Sequence, residues 1–241
     1  MLLIFDLDGT LFQAKPVVLR ADWGLLRELG VPEIDESTLF KNAGQGLDTL
    51  LRNILPESTD LAAARARYLE MVREAILDSG ELFPGIRDVL EQLHADGHTL
   101  VVCSNSPPEY IKLVLEHTGI SGLFTRYCSS EEYASKAEAI RELLSEMQGG
   151  QWPPLQKTCD NTSENELHRG EQRPPVGCAS TKTIVIGDTH GDVEAAHENG
   201  LGAIAVTYGY GNKSMLASAE YFADTPADIP NYLLSFLNYQ F

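Results

Sequence analysis

The sequence predicts an α/β protein whose parallel sheet is flanked by helices. Five short runs of apolar and β-branched residues alternate along the chain with segments of helical periodicity. Most of these runs are almost continuously apolar, which is typical of strands that are buried on both faces. The predicted strands of this five-stranded sheet are Leu2–Phe5, Thr99–Cys103, Leu123–Cys128, Thr183–Ile186 and Ala203–Thr207.

Helices are predicted between the later strands, where apolar residues recur at steps of three and four positions. Proline favours the first helical turn and glycine the position after the last. We therefore expect helices to begin near Pro84 and Pro107, and Gly97 to end the first of them. Two further helices are predicted over Ala134–Met147 and Asp192–Asn199.

The stretch 13–81 interrupts the alternation because it contains no convincing strand. Its apolar residues follow helical spacing instead. Ser58 or Thr59 is expected to cap the longest helix, since a side-chain hydroxyl can accept a hydrogen bond from the first turn. The helical patterns lie near Val17–Leu29, Gly46–Leu55 and Ser58–Leu77.

A second unusual stretch spans 148–181. It is rich in Gly, Pro, Gln, Asn, Ser and Thr and shows no regular apolar period, which predicts a flexible surface insertion. The predicted organisation is therefore an α/β core domain of residues 1–12 and 82–241 that contains this insertion, and a small helical domain of residues 13–81.

The net charge of −17 and the pI of about 4.6 restrict the partners of the protein. Such a surface repels nucleic-acid backbones and anionic lipids, so neither is expected to bind. No apolar run approaches the roughly 20 residues of a membrane span, and no signal peptide is evident. We therefore expect a cytoplasmic protein, either a monomer or a homodimer, without nucleic-acid or membrane partners.

Two carboxylates follow the first predicted strand. Asp6 and Asp8 are separated by one residue, so both point to one side of a continuing strand. In open α/β sheets the carboxyl ends of the strands face the ligand crevice. Gly9 allows a sharp turn and close approach of the backbone to a phosphate. A calcium-binding loop and an ordinary turn are the alternative interpretations.

Further polar residues follow the other strands. Ser104 and Asn105 precede a predicted helix, where a hydroxyl and free backbone N–H groups favour anion binding, although a simple helix cap would look the same. Asp188 and Asp192 follow the fourth strand. Four carboxylates gathered in one crevice repel each other unless a cation compensates them. Their joint occurrence predicts a site for a divalent metal ion.

Together these motifs resemble those of the haloacid dehalogenase-like hydrolase superfamily. The first motif is Asp6-Leu7-Asp8-Gly9-Thr10-Leu11, the second is Ser104, the third is Lys136, and the fourth is Gly187-Asp188 with Asp192. The resemblance covers nearly all of the chain except the insertion. The place of the helical domain, and Phe83-Pro84-Gly85 after it, are similar to the phosphoglycolate phosphatase-like group, which implies a Rossmann-like core and a helical cap.

The resemblance implies a Mg²⁺-dependent phosphatase that hydrolyses a small-molecule phosphate monoester. Asp6 would attack phosphorus and form an aspartyl phosphate, and Asp8 would act as general acid and base. The Mg²⁺ ion would be held by Asp6, by the backbone carbonyl of Asp8 and by Asp188, and Asp192 would complete or orient the metal site.

The resemblance also implies a phosphate-binding set. Ser104 and Lys136 would bind the phosphoryl oxygens and count among the catalytic residues. The expected substrate-binding residues are Gly9, Thr10, Ser104, Asn105 and Lys136, together with Lys41 and Gln45 of the helical domain.

Lys41 and Gln45 lie in a polar stretch between cap helices, where an ordinary turn is the alternative to contact with the leaving group. Three other functions fit parts of the pattern: a phosphosugar mutase of the same superfamily, a phospho-acceptor signalling domain, and a non-catalytic binding protein. No basic residue stands immediately after Leu11, where mutases use one to gate the acid and base, which favours hydrolysis.

Overall fold

The computed structural model describes residues 1–40, 46–148 and 183–238. Lys41 and Gln45 lie outside these residues, and so does the predicted insertion over 148–181 except for its first residue. The functional roles predicted for those positions therefore stay predictions.

The elements alternate as the sequence predicted. The strands are β1 (Leu2–Phe5), β2 (Thr99–Ser104), β3 (Arg126–Ser129), β4 (Thr183–Gly187), β5 (Gly202–Val206) and β6 (Tyr221–Ala223). The helices are α1 (Ala14–Glu28), α2 (Glu36–Phe40), α3 (Leu47–Ile54), α4 (Leu61–Ser79), α5 (Ile86–Ala95), α6 (Pro108–His117), α7 (Lys136–Gln148), α8 (His190–Glu198) and α9 (Ile229–Asn238).

The strands form one parallel sheet in the order β3-β2-β1-β4-β5-β6. The predicted α/β class and parallel pairing are confirmed, but the sheet has six strands and not five. The missed strand, β6, has only three residues, too few to show a period. β3 also begins later than predicted, because Ser121–Leu123 forms a short 3₁₀ turn.

The register of the sheet determines where the site lies. Phe5 of β1 pairs with Val102 of β2 on one side and with Ile186 of β4 on the other. Asp6 therefore leaves the sheet level with the ends of both neighbouring strands. In a parallel sheet these carboxyl ends meet at one edge, so the residues after β1, β2 and β4 are brought together there.

Apolar side chains cover both faces of the sheet. Leu3 and Phe5 of β1 contribute to a core on the face covered by α5, α6 and α9. Leu2 and Ile4 point to the opposite face, where α7 and α8 supply the partners. The two-residue alternation along a fully buried strand explains why its sequence is continuously apolar.

The stretch between β1 and α5 folds into helices α1 to α4, as predicted, while its division from the core as a domain stays a prediction. α4 packs against α1 and α3 and also contacts α6. The expected caps of α4 were wrong: Asp60, not Ser58 or Thr59, accepts hydrogen bonds from the backbone N–H groups of Ala62 and Ala63, each at 3.1 Å. Within the described ranges, no helix combines the length and apolar character needed to cross a membrane.

Candidate active site

Asp6 stands at the exit of β1 and is buried. Its backbone N–H donates to the carbonyl oxygen of Ile186 at 2.8 Å, which continues the pairing of β1 with β4. Its Oδ1 atom accepts a hydrogen bond from Nζ of Lys136 at 2.6 Å. Burial raises the pKa of Asp6 well above its ordinary value; Lys136 acts against this, whereas Asp192 and Asp188 add to it.

Lys136, the first residue of α7, is only 8% exposed and joins two carboxylates. Its Nζ atom lies 2.6 Å from Oδ1 of Asp6 and 2.5 Å from Oδ1 of Asp192. Burial alone would lower the pKa of Lys136, but the charges of Asp192 and Asp6 raise it above its usual range. The lysine is therefore a fixed positive charge beside Asp6.

Asp192 has both carboxylate oxygens engaged. Its Oδ2 atom accepts from the backbone N–H of Thr189 at 2.9 Å and from the Thr189 hydroxyl at 2.7 Å, which caps α8. Its Oδ1 atom accepts from Lys136. A Cβ atom at Gly187 would overlap the Asp192 side chain. The cap thus fixes Asp192 in the site, and glycine leaves the room for it.

Asp188 is fully buried beside the loop that follows β5. Its Oδ2 atom accepts from the backbone N–H groups of Tyr210, at 2.7 Å, and Gly211, at 3.3 Å. Its Oδ1 atom accepts from the hydroxyl of Thr10 at 3.3 Å. Burial, with a further contribution from the charge of Asp192, raises the pKa of Asp188 to about 7.

The loop 208–211 contributes to the site, although no functional role was predicted for it. A Cβ atom at Gly209 would overlap the carbonyl oxygen of Gly9, and one at Gly211 would overlap that of Asp188. The hydroxyl of Tyr208 donates to the carbonyl oxygen of Thr10 at 3.0 Å. Two glycines in a Gly-x-Gly pattern after a predicted strand were the available signal, because such a pattern is typical of close backbone approach.

Gly9 and Thr10 pack against Asp188. Gly9 has φ of +90°, and a Cβ atom there would overlap the Asp188 carboxylate. Thr10 is buried, and its hydroxyl is directed to the same carboxylate. Both residues thus position Asp188, and their contact with substrate stays a prediction.

Asp8 is held apart from the other carboxylates. Its Oδ2 atom accepts from the hydroxyl of Ser106 at 2.6 Å, and its Oδ1 atom accepts from the hydroxyl of Tyr110 at 2.7 Å. Burial raises the pKa of Asp8, and the two hydroxyl donors only partly offset this effect. Sequence reasoning singled out neither Ser106 nor Tyr110.

Ser104 and Asn105 lie at the end of β2, close to these donors. The Ser104 hydroxyl oxygen accepts from the backbone N–H of Ser106 at 3.1 Å, and Oδ1 of Asn105 accepts from the hydroxyl of Ser130. Ser104 is buried. The structure places both residues at the predicted edge of the sheet, and their binding of phosphoryl oxygens stays a prediction.

Three carboxylates are grouped closely enough to hold a metal ion. Oxygen atoms of Asp6, Asp188 and Asp192 all lie within 4.8 Å of one another. Buried carboxylates are the oxygen ligands that Mg²⁺ prefers, and a bound cation would offset their mutual repulsion. These residues therefore fit the predicted metal. The carboxylate of Asp8 is outside this group, and the contribution of its backbone carbonyl stays a prediction.

A crevice of about 430 Å³ opens beside Lys136. Asn105, Ser130 and Glu131 line it from the core, and Gly46 lines it from the inserted helical stretch. Its volume falls within the range of small-molecule sites. Among the described residues that line the crevice there is none of Asp6, Asp8, Asp188 and Asp192, so its use by the substrate stays a prediction.

The sequence model of the haloacid dehalogenase-like hydrolase family matches residues 3–151. This range contains β1 to β3, the inserted helices and three of the four predicted motifs. The chain belongs to the haloacid dehalogenase-like hydrolases. A second model, described as HAD-hydrolase-like, matches residues 156–235 and covers the fourth motif. The predicted family is confirmed, and with it the prediction that the chain is a hydrolytic enzyme.

Relatives of this haloacid dehalogenase-like hydrolase point to one group. The phosphoglycolate phosphatase of Aliivibrio fischeri is 26% identical over 98% of this chain and 96% of its own length. That of Synechococcus elongatus is 27% identical over 94% of both chains. The crystal structure of a predicted phosphoglycolate phosphatase from Haemophilus somnus has the same fold, with a TM-score of 0.76 at 22% identity, covering 96% of this chain and 97% of its own. The similarity to the phosphoglycolate phosphatase-like group is confirmed, and these relatives agree with the prediction of a phosphatase.

Proposed function

We propose that this haloacid dehalogenase-like hydrolase is a Mg²⁺-dependent phosphatase that hydrolyses a small phosphate monoester through an aspartyl phosphate on Asp6. The observation that carries the proposal is the separation of two kinds of carboxylate. Asp6 accepts a hydrogen bond from the charged Lys136, whereas both carboxylate oxygens of Asp8 accept hydrogen bonds from the neutral hydroxyls of Ser106 and Tyr110. Lys136, together with a cation bound by the carboxylate cluster, would favour the ionised form of Asp6 that a nucleophile needs, and the burial of Asp8 favours the protonated form that a general acid needs.

In the first step, a carboxylate oxygen of Asp6 attacks phosphorus. The bond between phosphorus and the ester oxygen breaks, and this oxygen takes the proton of Asp8 as the alcohol leaves. In the second step, Asp8 accepts a proton from a water molecule, whose oxygen attacks phosphorus. The bond between phosphorus and Asp6 then breaks, inorganic phosphate is released and the starting enzyme is restored.

Lys136 would stabilise the charge of the phosphoryl group during both steps, because its ammonium group is fixed beside Asp6 and needs no reorganisation. Ser104 and Asn105 lie at the same edge and would add hydrogen bonds to phosphoryl oxygens. Asp6, Asp188, Asp192 and the carbonyl of Asp8 would hold Mg²⁺, which supplies charge neutralisation when it is bound.

Phosphoglycolate is the first substrate to test. The named relatives match 98% and 94% of the chain, and this similarity supports a related substrate. An identity of about 26% leaves room for a different leaving group. We therefore propose a small anionic phosphate monoester, with phosphoglycolate as its leading example.

The test is phosphate release from phosphoglycolate and from a panel of other monoesters, with Mg²⁺ and with excess EDTA. Asp6→Asn is the matched control, because it keeps the size of the side chain and removes the nucleophile. We expect Mg²⁺-dependent release by the wild type and none by the variant. Equal release by the wild type and Asp6→Asn would contradict the proposal, as would an absence of release from every ester by the folded wild type.

A further inference from the structure

Both carboxylate oxygens of Asp8 accept hydrogen bonds from hydroxyl groups of a single short segment. Ser106 lies two residues before the first residue of α6, Pro108, and Tyr110 is the third residue of this helix. Their hydroxyl oxygens lie 2.6 Å from Oδ2 and 2.7 Å from Oδ1 of Asp8. The carboxyl group therefore cannot rotate about its Cβ–Cγ bond without losing both hydrogen bonds.

Tyr110 is anchored at both of its ends. It is 6% exposed, and its ring packs edge-to-face on Phe12 with a centroid distance of 6.5 Å. Phe12 belongs to the same turn as Asp8, since its carbonyl oxygen accepts from Gly9 N–H at 3.0 Å. On the helix side, the N–H of Tyr110 donates to the carbonyl oxygen of Pro107 at 3.0 Å. The hydroxyl is thus held rigidly against Asp8.

We propose that Tyr110 is a positioning residue for the general acid: with Ser106, it fixes the carboxyl group of Asp8 so that its proton is presented to the leaving oxygen. This inference rests on the proposed function and extends it to residues outside the four motifs. Each hydroxyl occupies one acceptor direction of a carboxyl oxygen. The proton of Asp8 then takes one of the remaining directions, and the orientation of the acid is limited before substrate binds.

The step that depends on this orientation is the departure of the alcohol. A general acid contributes most when the leaving oxygen is strongly basic, and little when the leaving group is already stable as an anion. An alkyl phosphate has the first kind of leaving group and 4-nitrophenyl phosphate the second. Loss of the positioning hydroxyl should therefore affect the two esters unequally, which a general weakening of the fold would not do.

Tyr110→Phe removes the hydroxyl and keeps the ring on Phe12. We expect kcat/KM for phosphoglycolate to fall roughly 10- to 100-fold, the range typical of a misplaced catalytic group. For 4-nitrophenyl phosphate we expect a fall of no more than about threefold, because kcat/KM reports only the steps up to departure of the leaving group. Tyr221→Phe, which removes a hydroxyl from the edge strand β6, is the matched control and should change neither value.

A second comparison distinguishes a loss of Asp8 orientation from a general structural effect of Tyr110→Phe. The Asp8→Asn variant has no acid to orient. Adding Tyr110→Phe to it should therefore change kcat/KM for phosphoglycolate by less than about twofold. Such non-additive effects are expected of groups that act as one unit. Equal losses on the two esters, or a full additional loss in the Asp8→Asn background, would overturn the inference. A wild type that releases phosphate from neither ester would overturn the proposed function itself, which distinguishes the two failures.

Discussion

Nζ of Lys136 lies 2.6 Å from Oδ1 of Asp6, although 130 residues separate the two in the chain. Lys136 also contacts Asp192, so one buried ammonium group forms ion pairs with two carboxylates. Fully buried charges are tolerated only when they are paired and hydrogen-bonded. The lysine therefore contributes both to the stability of this edge of the sheet and to the charge balance of the site.

Lys136→Met removes the charge and keeps much of the volume. Breaking a buried pair destabilises a protein by about 3 to 5 kcal/mol, because the remaining partners stay buried without compensation. We expect a loss of this size in the free energy of unfolding, measured by urea titration in EDTA, and a loss of phosphatase activity of at least about 100-fold. Lys112→Met is the control: its pair with Glu116 is exposed, so its effect should stay within about 0.5 kcal/mol. Similar effects of the two substitutions would contradict the assigned role.

Metal binding should depend on Asp188. Mg²⁺ that binds only the folded state raises the free energy of unfolding by about 2.7 kcal/mol at 100 times its Kd. We expect added MgCl₂ to raise the Tm of the wild type and not that of Asp188→Asn, whose amide keeps the size of the side chain. Asp224→Asn, at an exposed carboxylate, should retain the full increase. A Tm increase in Asp188→Asn equal to that of the wild type would show that the metal binds elsewhere.

Asp22 of α1 should make stability depend on pH. It is 3% exposed, and burial raises its pKa from 3.8 to about 7, although a hydrogen bond with Tyr68 opposes the shift. Its Oδ1 atom has no hydrogen-bond partner among the residues that the structure describes. The folded protein therefore binds this proton more tightly than the unfolded chain, so stability falls as pH rises from about 4 to about 7 and is then constant.

Asp22→Asn removes this titration. Between pH 4 and pH 7 the wild type should lose free energy of unfolding relative to the variant. The pKa of Asp22 is raised by about three units, and each unit corresponds to about 1.36 kcal/mol, so the loss should be at most about 4 kcal/mol. Urea titrations at several pH values measure this difference. Asp78→Asn, at an exposed pair with Arg20, should show almost none of it. A pH-independent difference between Asp22→Asn and the wild type would refute the assignment.

The loop after β5 should tolerate no side chain at Gly211. A Cβ atom there would overlap the backbone carbonyl of Asp188, so Gly211→Ala must displace the N–H groups that bind the Asp188 carboxylate. We expect activity to fall more than about 100-fold, as displaced catalytic groups commonly cause, with a lower Tm. Gly122→Ala is the control, because a Cβ atom at Gly122 has no atom within 4 Å among the described residues. Normal activity in Gly211→Ala would contradict this account of the loop.

Local patterns predicted the fold class and the carboxylate cluster. Continuous apolar runs revealed the strands, and the acidic residues after β1 and β4 indicated the cluster of Asp6, Asp188 and Asp192. The expectation that Asp8 continues the strand beside Asp6 was wrong, because β1 ends at Phe5 and the Asp8 carboxylate lies outside the cluster. The partners of Asp8 were not predictable, because Ser106 and Tyr110 are about 100 residues away and a hydroxyl near a helix start is common. Only the folded chain shows that this turn of α6 lies against the turn after β1.

Weak local signals explain the remaining errors. β6 is too short to show a period and is defined by its pairing with β5. Asp60, not the hydroxyl residues before it, begins α4, since either residue type can cap a helix and only the backbone path selects one. The contribution of loop 208–211 to Asp188 depends on contacts across more than 20 residues, which single-sequence spacing does not reveal.

The central position of β1 has a consequence for biosynthesis. The strand is translated before both of its neighbours, and the later of them, β4, begins only at Thr183. At the usual translation rate of about 5 to 20 residues per second, one edge of β1 stays unpaired for roughly 10 to 40 s during synthesis. Unpaired apolar edges promote aggregation. A nascent chain that stalls before β4 should therefore need chaperone protection, and Asp6 should stay inactive as a nucleophile until β4 has emerged and paired with β1.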